Sequence, residues 1–283
     1  MKAIISSTYD DKYLYFLPIV TWLWNKLGVD VICFLPYRLD KTTYPVKTGI
    51  EGDDLRYTIN DPRFGLIVNT CYAQNLKLQK HFFTCPEHKE ATYAQCSRLY
   101  AACLDLPEDE VLITSDIDMG IFKIPDYAGF FSIFGTDLVP PNQYPMCYVS
   151  AEVKQWRLAI GVGKTYQEQL DLLLGEIDCD NMKANYWAKD QETLFNLLKN
   201  SGAKIEMNRA KTGTQFATNR IDRDDSFWRE RLSPDIIDCH FWRPGYTDEN
   251  FSKTLELLQY FYPNEDFTWI VEYTQAYKKL VNE

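Results

Sequence analysis

A chain of 283 residues, 46% hydrophobic and 25% charged, has the balance of a globular protein and is long enough for one large α/β domain or two small ones. Its formal charge of −10, from 40 acidic against 30 basic residues with no basic run, argues against a nonspecific nucleic-acid binder, which grips phosphates with Lys and Arg clusters. Eight cysteines without a C-x-x-C pair read as reduced thiols in a cytoplasmic protein, and an aromatic content of 15% suits stacking surfaces or an aromatic-lined cleft.

The N-terminus turns polar after five residues, so it is no secretory signal, and Ala3 to Ser6 reads as an opening strand. A polar turn from Ser7 to Asp11 leads into a helix over Lys12 to Leu27, with apolar residues at helical spacing and Gly28 as its stop. That stretch is too short and too mixed to span a bilayer, so a soluble protein without a transmembrane segment is expected. Val29 to Leu35 supplies a second strand, and strand, helix, strand with short connections begins a parallel α/β sheet.

Pro36 to Phe64 is polar and broken by Gly and Pro, which predicts loops and short pieces; Leu66 to Thr70 reads as a strand and Glu87 to Leu104 as a helix carrying Arg98. Val111 to Thr114 is a buried strand, Phe130 to Val139 another, and Met146 to Ile160 mixes strand and helix features. Helices follow at Tyr166 to Leu174 and Gln191 to Lys199, the second with Asp190 as N-cap and Gly202 past its end. Strands at Ile205 to Asn208 and Ile236 to Phe241, then helices at Asp248 to Phe261 and Phe267 to Leu280, complete the chain. Without repeats, low-complexity tracts or an obvious linker, one domain is the simplest division: 1–120, 121–245 and a C-terminal helical extension at 246–283.

Asp-x-Asp occurs three times, at Asp116 and Asp118, at Asp178 and Asp180, and at Asp222 and Asp224. Only the first pair follows an apolar run able to be a buried strand, and the carboxyl ends of such strands line the ligand crevice of open α/β sheets. Two like charges a residue apart are costly to bury unless a cation compensates them, and a hard divalent cation carrying substrate phosphates needs only one or two carboxylates. The other two pairs read as solvated loop carboxylates. No P-loop, Gly-x-Gly-x-x-Gly or Gly-x-Ser-x-Gly elbow occurs, and the three histidines at 81, 88 and 240 form no close zinc pair.

Thr-Ser-Asp-Ile-Asp-Met after a strand, preceded by a helix bearing Ser-Arg-Leu-Tyr at 97–100, resembles the nucleotide-sugar glycosyltransferases of the GT-A fold, over residues 1 to about 202. The resemblance implies a Rossmann-like α/β fold with a mixed, mostly parallel sheet flanked by helices. It further implies Mn²⁺ or Mg²⁺ as cofactor, a nucleoside-diphosphate sugar as donor, and a glycan or other hydroxyl acceptor. Residue by residue, Asp118 would ligate the metal, Asp116 would contact ribose or metal, and Ser7, Thr8 and Tyr9 would seat the nucleotide. Arg98 matches a basic residue on the preceding helix, and otherwise reads as a surface arginine or a partner for Asp116. His240 is the third-ligand candidate; a hydrogen-bonded, partly buried histidine is its other reading.

Asp190, apart from capping a helix, would be general base in an inverting enzyme or would orient the donor sugar in a retaining one, beside Gln191. Trp187, Trp242 and Arg243 are acceptor-side or donor-sugar candidates, with core packing the competing reading for the tryptophans and diphosphate contact for the arginine. A nucleotidyltransferase making sugar nucleotides, or a binding module without turnover, would share the sheet; the first usually carries a Gly-rich N-terminal loop, which Ser6 to Asp11 lacks.

Overall fold

The computed structural model describes residues 1–36, 45–46, 56–57, 61–86, 89–134, 140–161, 163–175, 188–207 and 219–282. Alternation in its first two strands builds two cores at once. From β1 (Lys2–Ser6) and β2 (Asp30–Pro36), Ala3, Ile5, Val31, Cys33 and Leu35 face one core, while Ile4, Ile32 and Phe34 face the other.

Between these strands lie α1 (Asp11–Leu14) and α2 (Leu17–Lys26), where one continuous helix was expected. Pro18 is the reason. Its ring removes an N–H and would meet the carbonyl of Leu14, so α1 ends there and a new helix starts. Every residue from Leu17 to Trp24 is buried, as suits a helix apolar on all sides.

The short β3 (Pro45–Val46) and β4 (Arg56–Tyr57) pair antiparallel. Leu66 to Thr70, expected as a strand, lies inside α3 (Pro62–Ala73). Asp61 caps this helix on the Arg63 N–H at 2.9 Å and Pro62 occupies its first turn; this start signal outweighs the β-branched run that follows. The strand is instead β5 (Leu78–Phe83), an edge strand paired with β2, whose Gln79, Lys80 and His81 carry no buried pattern.

Helix α4 (Glu90–Ser97) tightens into a 3₁₀ turn at Arg98–Cys103 where a single α-helix was expected, and β6 (Val111–Thr114) and β7 (Met119–Ile121) follow. Then come β8 (Phe131–Ile133), β9 (Val149–Glu152), α5 (Val153–Ile160) and α6 (Tyr166–Leu174); the mixed stretch is thus a strand running into a helix. The last elements are α7 (Lys189–Ser201), β10 (Ile205–Met207), β11 (Arg220–Ile221), β12 (Asp238–His240), α8 (Asp248–Phe261) and α9 (Thr268–Asn282). Gly202 ends α7 with φ of 65°, the left-handed cap expected there.

Among the described residues the main sheet has the order β10-β8-β9-β6-β1-β2-β5, parallel except that β9 runs antiparallel to both neighbours. It is the mixed, mostly parallel sheet that was expected, with α2, α3, α8 and α9 contributing to the core on one face and α4 to α7 to that on the other. A second sheet, β11-β12-β7, stands against its carboxyl edge. No helix among the described residues is long and apolar enough to cross a membrane.

Candidate active site

Strand β6 is held on both sides, by β1 and β9, and the ladder continues one residue further through the Ser115 N–H to the Ile4 carbonyl at 2.9 Å. The chain then turns, with the Met119 N–H on the Asp116 carbonyl at 3.2 Å, and Ile117 drops into the core. Asp116 and Asp118 are left on the wall of a cavity of about 330 Å³.

His240 comes to them through the second sheet. β12 pairs with β7 in the register His240 to Met119, and the Phe241 N–H donates to the Asp118 carbonyl at 2.9 Å. Gly120 permits this approach: a Cβ there would sit 2.3 Å from the Phe241 ring. One donor atom each from Asp116, Asp118 and His240 then lies within 4.8 Å of the others.

Asp118 is almost fully buried, and its Oδ2 has three cationic groups around it: Arg223 Nη2 at 3.1 Å, Arg243 Nε at 3.3 Å and His240 Nε2 at 3.6 Å. None of these makes a properly directed hydrogen bond to that oxygen among the described residues. Burial pushes the carboxyl up, but the His240 ring and the two guanidiniums outweigh it and hold it at about 2. Burial pulls His240 down, and Asp118 and Asp222 overcome this to raise it. Two carboxylates and an imidazole form a donor set suited to a divalent metal ion, and the buried Oδ2 without a directed hydrogen bond fits a metal ligand.

Arg98 organises the other half of the wall. Its guanidinium is buried, donates to the Ser115 carbonyl at 2.9 Å and to Asp190 Oδ2 at 2.7 Å, and pairs with Asp116 Oδ1. The structure therefore makes Arg98 a partner of Asp116 rather than a surface residue. Burial raises the Asp190 carboxyl, with Arg98 opposing. Asp190 is not the N-cap that was expected: Ala188 holds that place, and Asp190 turns inward from the first turn of α7 because Arg98 needs a second carboxylate.

Ser7, Thr8, Gln191 and Arg243 line the same cavity. Tyr9 does not. It is buried edge-on against Phe64 in the core. Trp242 likewise packs on Trp228, with ring centroids 5.0 Å apart, and belongs to the core rather than to an acceptor wall, because the residue after His240 and Phe241 is turned inward. Trp187 lies outside the described residues, as do Asp178 and Asp180.

Sequence reasoning missed Arg220, Arg223 and Tyr13, all on the cavity wall, and misread Asp222. Asp222 is half-buried with Oδ1 3.8 Å from His240 Nδ1, on the far side of the imidazole from Asp118, and that ring outweighs burial to hold its carboxyl at about 2. The available signal was the density of charge in Arg-Ile-Asp-Arg-Asp-Asp at 220–225 just ahead of the late strand.

No protein family and no curated protein matches the sequence. Among solved structures, a galactosyltransferase LgtC complex with donor and acceptor sugar analogs matches over 92% of this chain and 95% of its own, at 11% identity and a TM-score of 0.43. The apo-form glycosyltransferase GlyE of Streptococcus pneumoniae TIGR4 matches over 98% of this chain, which spans 63% of GlyE, at 10% identity and a TM-score of 0.46. An active-site mutant of LgtC matches over 100% of this chain and 95% of its own, at 9% identity and a TM-score of 0.42. Identities this low leave the residues of the site to be read from their own geometry.

Proposed function

We propose that the chain is a metal-dependent glycosyltransferase that moves a sugar from a nucleoside-diphosphate donor to a hydroxyl acceptor, read as one catalytic unit. The observation that carries this reading is the meeting of Asp116, Asp118 and His240, brought from two sheets to one cavity beside the β1 turn at Ser7 and Thr8. Asp116, Asp118 and His240 would hold Mn²⁺ or Mg²⁺, which would supply Lewis-acid stabilisation of the charge on a departing diphosphate.

The remaining roles belong to the protein. Arg243, packed over the Tyr13 ring at 4.7 Å, adds fixed positive charge on the same wall. Arg98 pairs with Asp116 and fixes Asp190 toward the cavity. With Oδ2 on Arg98 and Oδ1 on the Gln191 N–H at 2.9 Å, Asp190 is a rigid acceptor for sugar hydroxyls, which favours the orienting role over that of a free general base. Ser7 and Thr8 are the nucleotide-side residues of this reading, and Gln191 accompanies Asp190 on the sugar side.

The test is release of nucleoside diphosphate from a panel of nucleotide sugars, with and without Mn²⁺ and simple glycan acceptors. Asp118→Ala is expected to lower the metal-dependent rate by about a thousandfold, the scale on which charge stabilisation at a leaving group acts. Full metal-dependent activity in that variant, or release of pyrophosphate in place of nucleoside diphosphate, would overturn the assignment.

A further inference from the structure

The four cavity-lining arginines are held very differently. Arg98 has two carboxylates and the carbonyls of Ser115 and Gln95. Arg220 forms two parallel bonds to the buried Asp238, at 2.9 and 3.0 Å, and reaches the Cys147 carbonyl. Arg243 stacks on Tyr13 and bonds its hydroxyl. Among the described residues Arg223 has no carboxylate of its own: it shares Asp118 Oδ2 with His240 and Arg243, and its Nη1 is buried without a hydrogen-bond partner there.

Its position is the telling feature. Arg223 Nη2 is 3.1 Å from Asp118 Oδ2 and in direct contact with His240 Nε2. Those side chains are two of the three that a metal would use. A guanidinium and a divalent cation cannot both stand there, because the guanidinium fills the space in front of Asp118 and His240, and two cations a few ångströms apart repel in a partly buried site.

We propose that Arg223 is a resident counter-ion that competes with the metal for Asp118 and His240 and is displaced when the metal binds. The guanidinium then remains beside the cavity that Arg223 lines, and once it turns away from Asp118 its Nη1, now buried without a partner among the described residues, can bond an anion, so metal and diphosphate each favour the other's binding. This rests on the reading of Asp116, Asp118 and His240 as a metal site, and it gives Arg223 a positioning role rather than a catalytic one.

The experiment titrates the purified full chain with Mn²⁺ alone, following free Mn²⁺ by its electron paramagnetic resonance signal. Neutralising the competitor in Arg223→Gln is expected to tighten Mn²⁺ binding by about tenfold or more, while Arg223→Lys, which keeps the charge, stays near the parent affinity; melting curves verify that both variants fold. An unchanged or weaker affinity in Arg223→Gln, or no Mn²⁺ binding in any of the three proteins, overturns the proposal. Because no sugar nucleotide is present, the outcome is separable from glycosyl transfer: a chain without turnover whose Mn²⁺ binding still tightens keeps this inference and loses the other.

Discussion

Two regions of this molecule bring distant residues together by opposite means. At the cavity, Arg98 meets Asp190 and Asp118 meets His240 through paired charges that burial makes costly and that only full pairing makes tolerable. Beyond β12, Tyr15 is clasped by the C-terminal helix: Tyr273 stacks on Tyr15, Tyr277 meets it edge-on, and the Tyr15 hydroxyl lies 2.7 Å from Thr274 Oγ1. Apolar area and ring geometry hold the clasp, and only a few hydrogen bonds fix its orientation. The end of β12 joins the two, since its last residue His240 faces the cavity while Phe241, the next residue, stacks on Phe16. The contrast teaches that the site and the stability of the fold are carried by neighbouring residues at the end of β12, His240 and Phe241, so substitutions can separate them.

The largest loss of stability is expected from Arg98→Met, which leaves Asp190 buried without its cation; breaking such a pair costs about 3–5 kcal/mol, with the more exposed Asp116 adding little. Asp190 already has a raised carboxyl, and losing Arg98 raises it further. A folded carboxyl above its unfolded pKa binds more protons when folded, so its penalty grows as pH rises. Urea unfolding should therefore find the variant closer to the parent at pH 5 than at pH 8. A deficit that grew on acidification would show that the network is not what Arg98 supports.

Tyr277→Ala should cost about 3 kcal/mol, the scale for deleting a buried aromatic ring, while turnover per folded molecule stays near the parent value. A large loss of turnover would mean that the clasp is part of the active site. Gly120→Ala sits at the joint and should damage both sides: the new methyl displaces the Phe241 ring, costing about 1–3 kcal/mol, and carries His240 with it. Calorimetric titration should find Mn²⁺ bound more weakly in that variant. Tyr15→Phe is the mildest, about 1 kcal/mol for the hydrogen bond to Thr274, with metal affinity unchanged.

What could be read from the sequence was what is local. Val111 to Thr114 followed by two acids marked a strand end, and Asp248 to Phe261 announced its helix by period and ends. Edge strand β5 gave no such signal, because one of its sides meets solvent and tolerates Gln79 and Lys80. Asp118 and His240 were legible as candidates, yet their meeting depends on the β7 to β12 register and on Gly120, neither of which is written in any single segment. Tyr9 and Trp242 show the converse: the residue types suited a ligand wall, and the turn of the chain gave them to the core. Arg223 and Asp222 went unrecognised because their value comes from what faces them across 17 and 18 residues of chain, not from their own neighbours.

The central claim is that Asp118 holds a metal on which donor binding depends. Calorimetric titration of the parent chain with a panel of nucleotide sugars tests it directly. At least one donor should bind in the presence of Mn²⁺ and fail to bind once the metal is chelated, and Asp118→Ala should abolish that binding while remaining folded. Donor binding that is indifferent to chelation and to Asp118→Ala would contradict the account.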